Sequence, residues 1–251
     1  FLEHAALGAP LLARAGTAIQ KAEWLPRLAD GSATVTVGLE SQAYVADATA
    51  DLVLLERDGE LHALTQDRLT LDPRRSVDHA RRLFAVTAEI GRDTFMAPAA
   101  PHRGWIEDHG AAATAADLTG IAGALLDRTV EYVQQREQFG HKVGSFQAVQ
   151  HRLAEVYLLV ESARSAVYYA AYALANDLED APVAVSVAKA YAGDAERRAN
   201  HEALQFHGGI GFTWEHDLHL WLKRGKAREL AWGDADQHRH RIADWIYATA
   251  G

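Results

Sequence analysis

Arg136-Glu137-Gln138-Phe139-Gly140, running on through His141-Lys142-Val143-Gly144-Ser145 into Phe146-Gln147, is the stretch on which the reading of this chain turns. It separates two long helical patterns. One reading makes it a polar helix–helix connection broken at Gly140 and Gly144. The other makes it a ligand loop, with an Arg at a helix end, aromatic rings at two loop positions and a Gln opening the next helix. A guanidinium forks onto phosphate, and a helix start offers free N–H groups to an anion. A second stretch, Gln205-Phe206-His207-Gly208-Gly209-Ile210-Gly211-Phe212, holds three glycines in four positions. Such a backbone either comes close to a ligand or simply ends a helix.

Outward from these stretches the pattern is helical. Val149, Leu153, Val156, Val160, Ala163, Val167, Ala170 and Leu174 alternate steps of four and three, the apolar seam of a bundle helix. A second seam runs Ala184, Ala188, Tyr191, Ala195, Ala199, with Pro182 at a first-turn position and Gly208-Gly209 as the stop. A short amphipathic helix around Ile242, Trp245 and Ile246 closes the chain. Toward the front, helical texture begins at about Ala112. Before it lie short β-rich runs at 34–37, 52–55, 61–64, 68–71 and 83–88, with Asp58-Gly59 as a hairpin turn. Residues 1–30 are Ala/Leu-rich with helical spacing. The expected organisation is the end of a helical domain (1–31), a reduced β-domain (32–100) and a helical bundle (101–251).

The composition narrows the function. The chain has 251 residues, 49% hydrophobic and 24% charged, as an ordinary globular protein does. Zero Cys removes a disulfide framework, a thiolate metal site and a cysteine nucleophile, and suits a reducing, cytoplasmic compartment. A net charge of −9 argues against nucleic acid or an anionic membrane as the main partner. No apolar run of about 18 residues occurs, so no membrane insertion is expected. The chain opens on Phe1 with no basic-then-apolar leader, so no export signal is expected.

Taken together, the two stretches resemble the C-terminal half of acyl-CoA dehydrogenases, the FAD enzymes that desaturate acyl-CoA thioesters. That family pairs an Arg-x-x-Phe-Gly…Phe-Gln loop with a Gln-x-x-Gly-Gly-x-Gly-Phe turn at about this separation. Trp24-Leu25-Pro26-Arg27-Leu28-Ala29-Asp30-Gly31, Val45-Ala46-Asp47-Ala48 and Ala50-Asp51-Leu52-Val53 extend the likeness to the front of the chain. The resemblance implies a mainly α fold with a small β-domain: a remnant of the N-terminal helical domain, a reduced middle β-domain and a C-terminal four-helix bundle. It also implies FAD at a subunit interface. Arg136 would pair with the pyrophosphate, Gln138 and Phe139 would line the same pocket, and Phe146 and Gln147 would flank it. Gln205, His207, Gly208 and Gly209 would contact the other side of the dinucleotide.

Two departures from the family pattern matter. The family's Thr-Glu-Pro…Gly-Ser-Asp loop holds the flavin ring, but here Val37-Gly38-Leu39-Glu40 passes almost directly to Tyr44-Val45-Ala46-Asp47. The catalytic base is the second. Most members carry it as the Glu of Tyr-Glu-Gly-Thr, and the matching run here is Leu230-Ala231-Trp232-Gly233-Asp234, with Trp232 at the Glu position. A minority place it before the Arg loop, where this chain has Gly110, with Glu107 and Asp108 close by. Indole and glycine cannot take a proton, so no catalytic residue is assigned.

A chain that keeps the dinucleotide loops but lacks ring cradle and base resembles the shortened subunit of a heteromeric α₂β₂ acyl-CoA dehydrogenase of the actinobacterial steroid-degrading type. The implied partners are a larger catalytic subunit, an acyl-CoA substrate (a steroid side-chain CoA by family habit) and electron-transfer flavoprotein as acceptor. The alternatives are a self-sufficient homomeric enzyme with a displaced base at Asp234, Asp236 or Glu107, and a non-enzymatic scaffold of the same fold. The Ala-rich seams and surface tryptophans imply oligomerisation. His216 with His219, and His238 with His240, lack the carboxylates of a bundle metal site, so no metal is assigned. Arg81-Arg82, Arg197-Arg198 and Lys223-Arg224 read as solvated or salt-bridged faces. Trp214, Trp221 and Trp245 read as core or interface, and Trp232 as a filler of space that a substrate occupies elsewhere.

Overall fold

The computed structural model describes residues 2–249. It divides into two compact units, residues 1–110 and 111–251.

In the first unit a π-helical turn, Leu2–Gly8, leads into α1 (Ala9–Ala15) and α2 (Ala18–Ala29). Thr17 starts α2 with a reciprocal cap, its hydroxyl accepting from the Gln20 N–H while the Gln20 side chain accepts from the Thr17 N–H. Seven strands follow: β1 (Val35–Gly38), β2 (Val45–Ala46), β3 (Leu52–Arg57), β4 (Glu60–Leu64), β5 (Leu69–Arg74), β6 (Leu83–Ala88) and β7 (Phe95–Pro98). One sheet has the order β1-β3-β4-β7, with β1 parallel to β3 and the other pairs antiparallel; the other sheet is β2-β6-β5. Asp58 and Gly59 both take positive φ (52° and 77°), the backbone a two-residue hairpin requires between β3 and β4. Val53, Leu55 and Leu64 from the first sheet and Val45 from the second form a core, with Leu71, Phe84 and Val86 packed against it. Strand β7 was not expected, and β2 lies in the Val45–Ala48 stretch that only the family likeness, not its own pattern, marked as strand. Two residues of β2 and four of β7 are too few for an alternating pattern to stand out.

Residues 39–44, between β1 and β2, make a tight turn in which the Gln42 N–H bonds the Leu39 carbonyl at 3.0 Å. The Glu40 N–H donates to the buried Glu56 carboxylate at 3.2 Å, and Glu56 also pairs with Arg103.

The second unit is the bundle. Helix α3 (Ala100–Gln135), whose first turns belong to the first unit, begins twelve residues ahead of the helical texture seen in the sequence, with Pro101 in a first turn that tolerates its missing N–H. A hairpin follows, β8 (Glu137–Gln138) with β9 (His141–Lys142), and then α4 (Gln147–Ala175), α5 (Ala181–His207), α6 (Leu218–Leu230) and α7 (Ala235–Thr249). Helices α3, α4 and α5 share a core built mostly of alanines, among them Ala115, Ala163, Ala170, Ala188 and Ala192. Small side chains let these helices approach closely. Toward the hairpin the core becomes larger, with Ile121, Leu125, Leu153, Val156 and Leu218, and α6 joins it. This is the expected four-helix bundle.

Two seam positions differ from the sequence reading. Tyr191 is 44% exposed, and the buried row of α5 runs through Ala188, Ala192, Ala195 and Ala199. Ala173, not Leu174, is the fully buried residue near the end of α4. One residue is a rotation of about 100°, enough to turn a side chain off the core stripe. Helix α7 buries Ala235 and His238, while Trp245 and Ile246 of its apolar set remain exposed.

Candidate functional site

The hairpin after α3 is the first half of the site. The Arg136 N–H still closes the last helical turn on Tyr132 O at 2.9 Å, and the Val143 N–H returns to Arg136 O at 2.8 Å. Phe139 and Gly140 sit between them with φ of 54° and 77°, a turn with two left-handed residues. Lys142 ties the hairpin down, donating to Gln135 O at 3.1 Å and pairing with Glu137 at 2.7 Å. The Arg136 backbone is thus fixed from both sides. Among the described residues, its guanidinium holds no hydrogen bond or ion pair, nor do the side-chain amides of Gln147 and Gln205. The Phe139 ring is 91% exposed, Phe146 lies edge-on to His141, and Gln138 donates to Glu137 O at 2.7 Å. Phe146 precedes α4 with no side-chain cap on the helix's free N–H groups.

The second half is the turn after α5. Gly208 adopts φ 60°, ψ −139°, a conformation open essentially to glycine alone. A Cβ at Gly208 or Gly209 would meet no atom within 4 Å, so the Cα side of this turn is open, while the Gly208 N–H itself closes the helix on Leu204 O. Gly211 is the opposite case. Its Cβ would press on His207 Cβ at 3.1 Å and Leu218 Cδ2 at 3.2 Å, so glycine there serves packing.

The fold brings the two halves together. The Tyr132 and His207 rings stack at 4.3 Å and 21°, and the Tyr132 hydroxyl donates to His207 O at 3.4 Å. Val133, Val143, Val149, Leu204 and Phe206 meet in one core cluster. Arg136, Gln147, Gln205, Gly208 and Gly209 therefore flank one packed region that offers uncommitted side-chain polar groups beside an open glycine turn. His207 differs from them. Its ring is buried, bonded through Nδ1 to Ala203 O at 2.8 Å, and burial holds its pKa below the ordinary imidazole value. Tyr132 was missed in the sequence; its place one helical turn before Arg136 was the available signal.

Between α6 and α7 lies the elbow that carries Trp232. Trp232 and Gly233 both take positive φ (59° and 91°), unusual for a bulky residue. Buried Lys189 of α5 donates from Nζ to Glu229 O at 2.9 Å and Gly233 O at 2.6 Å, and His238 Nε2 bonds Trp232 O at 2.8 Å. The Trp232 ring packs against the alanine core. Burial lowers the Lys189 pKa to about 8, against the opposing pull of Glu229 and Asp234. Asp234 caps α7, accepting from the Gln237 N–H at 2.9 Å, and Asp236 pairs with Arg239 at 3.0 Å. Glu107 is partly buried on α3, in the first unit.

Residues 107–247 match the acyl-CoA dehydrogenase C-terminal domain. The acyl-CoA dehydrogenase IpdE2 of Mycobacterium tuberculosis is 37% identical over 213 residues, which cover 85% of this chain and 63% of the relative. IpdE2 of Mycolicibacterium smegmatis is 34% identical over 248 residues, 96% of this chain and 73% of the relative. The chain thus spans somewhat under two thirds and somewhat under three quarters of these two relatives. Among solved structures, the ChsE4-ChsE5 complex from Mycobacterium tuberculosis superposes with a TM-score of 0.85 at 24% identity, over 98% of this chain and 75% of that one, a likeness of fold. The Tcur3481-Tcur3483 steroid ACAD superposes with a TM-score of 0.83 at 27% identity, over 98% and 76%. The chain belongs to the acyl-CoA dehydrogenase family, with residues 107–247 as its C-terminal domain.

Proposed function

We propose that this chain is a subunit of an FAD-dependent acyl-CoA dehydrogenase, that it lends dinucleotide-binding residues in trans to a larger catalytic subunit, and that it carries no base of its own. The family is FAD-dependent. The observation that carries the reading is the Arg136 guanidinium, held by its backbone and uncommitted at its tip, in one packed region with the Gly208-Gly209 turn, whose Cα side is open. A diphosphate needs a permanent cation and a close backbone approach, and these residues fit both demands. Arg136 would fork onto the diphosphate, Gln147 and Gln205 would offer amides, and Gln138, Phe139 and Phe146 would line the exposed side. His207 would support Gly208 from beneath. Bound FAD supplies a hydride acceptor for the substrate's β-hydrogen.

Two features support an incomplete active site. The short turn at 39–44 is closed on itself and on Glu56, leaving little chain there to hold a flavin ring. Where the family base belongs stands an indole, and the nearby Asp234 carboxylate is engaged as a helix cap. The α-proton would then go to a carboxylate of the partner. The two-component names of the solved relatives support an assembly of two kinds of chain, taken in this reading as two larger and two smaller, and the steroid enzyme among them supports a steroid-derived CoA, taken here as a side-chain CoA, as substrate. Electron-transfer flavoprotein is the acceptor that goes with this reading, and 1–31, 32–100 and 101–251 are the domain divisions.

Co-expression with the partner subunit tests it. The chain alone should be colourless or insoluble, the co-purified complex yellow, with fewer flavins than chains. Arg136→Ala should strip FAD from that complex while leaving its assembly intact. Full activity of the chain by itself, or unchanged FAD content in Arg136→Ala, would overturn the reading.

A further inference from the structure

The two halves of the site are 58 residues apart at their nearest functional ends (Gln147 and Gln205), and beside the aliphatic packing between them one aromatic side chain bonds and stacks across both. Tyr132 lies on α3 one turn before Arg136, and its carbonyl accepts the Arg136 N–H at 2.9 Å. Its ring lies flat on His207, the residue before Gly208, at 4.3 Å, and its hydroxyl reaches the His207 carbonyl at 3.4 Å. That carbonyl belongs to the peptide that enters Gly208.

His207 is itself immobilised. Nδ1 is bonded to Ala203 O at 2.8 Å, and His216 packs edge-on at 5.0 Å and 62°. His216 Nδ1 in turn accepts the Leu218 N–H at 3.1 Å, at the start of α6. Three rings in a row thus connect the end of α3, the glycine turn and the start of α6. A flat stack resists the tilting that a purely aliphatic contact would allow.

We infer that Tyr132 is the positioning residue of the dinucleotide site, coupling the Arg136 hairpin to the Gly208 turn so that the two are presented as one surface. This rests on the reading of those segments as the FAD-binding surface. Without the stack each half keeps its own hydrogen bonds, and only the aliphatic packing between them still holds their register, so a ligand touching both must supply part of the ordering itself. A preorganised pair avoids that loss.

The test uses the co-purified complex and two readouts: the FAD dissociation constant, from flavin fluorescence on dilution, and amide hydrogen exchange over residues 136–146 in the FAD-free complex. Tyr132→Leu keeps apolar volume and removes the stack. It should weaken FAD binding by about tenfold, the scale of one stacked aromatic pair, and speed exchange at Val143. Tyr132→Phe keeps the ring and should stay within about threefold of the parent, again the scale of a weak neutral hydrogen bond. His207→Leu attacks the stack from the other side, and it keeps the test open if Tyr132→Leu fails to assemble. The double Leu variant should lose little more than either single one, as partners in one contact do. Parent-like FAD affinity in both Leu variants, unchanged exchange over the hairpin, or fully additive losses would overturn the inference. Arg136→Ala separates it from the reading beneath. If that variant binds FAD as the parent does, the dinucleotide surface itself is wrong; if it loses FAD while the Leu variants do not, only the coupling is.

Discussion

Glu196 on α5 is 1% exposed and faces α6 at Gly225, where any Cβ would overlap its carboxyl group. Only glycine at 225 lets the carboxyl pack there. Asn200 donates to it at 2.7 Å, Glu229 stands nearby as a like charge, and Lys226 and Arg197 are drawn chiefly to Glu229. Burial first, and the Glu229 charge second, push the Glu196 pKa up from an ordinary 4.5 to about 7, against the smaller pull of Asn200, Lys226 and Arg197. A carboxyl raised in the folded state binds its proton more tightly there than in the unfolded chain. Its contribution is therefore fully present below about pH 4.5 and is lost as pH rises through about 7. At roughly 1.4 kcal/mol per pH unit, the interval is worth about 3 kcal/mol. Glu196→Gln keeps the shape and the Asn200 bond and has no charge to bury. Urea melts of the purified assembly at a series of pH values should show the two proteins equal near pH 4.5. The variant should gain steadily above that, to about 3 kcal/mol by pH 8. A gap that does not change with pH, or a variant weaker than the parent at pH 8, would refute this account of α5–α6 packing.

Three further substitutions have definite expected outcomes. Lys189→Met leaves the carbonyls of Glu229 and Gly233 without their donor, so it should lower stability at pH 7 by about 1–3 kcal/mol even after the buried cation is relieved. Because Lys189 titrates near 8 rather than 10.5, the parent should gain stability between those values and the Met variant should not, which melts at pH 7 and 9.5 will separate. At the glycine turn, Gly208→Ala forces an L residue into φ 60°, ψ −139° at about 1–3 kcal/mol and should lower both melting temperature and FAD retention. Gly209→Ala, with open space around its Cβ and no positive φ, should spare the melting temperature and reduce only FAD retention.

Much of the bundle was readable because its signals are local. The α4 seam repeats within one or two turns, Pro182 and Gly208 mark the two ends of α5, and Asp58-Gly59 marks a hairpin; each depends on residues a few positions apart. The candidate site residues come from the same kind of local signal: an Arg at a helix end and glycines after another helix stand out by identity and spacing. Reading failed where competing faces differ by one residue, as at Tyr191, or where strands are too short to alternate, as in β2 and β7.

What no local pattern contains is the meeting of distant groups. A lysine in a helix reads as solvated, since a charge is expensive to bury. Lys189 is buried because two carbonyls 40 and 44 residues further on converge on its ammonium group. The Tyr132–His207 stack likewise spans 75 residues and exists only because α3 and α5 pack side by side. Residue identity and spacing settle which polar groups and glycines the chain offers; helix packing settles which of them lie beside one another, since their distances are set by side chains lying between them in space and not along the chain.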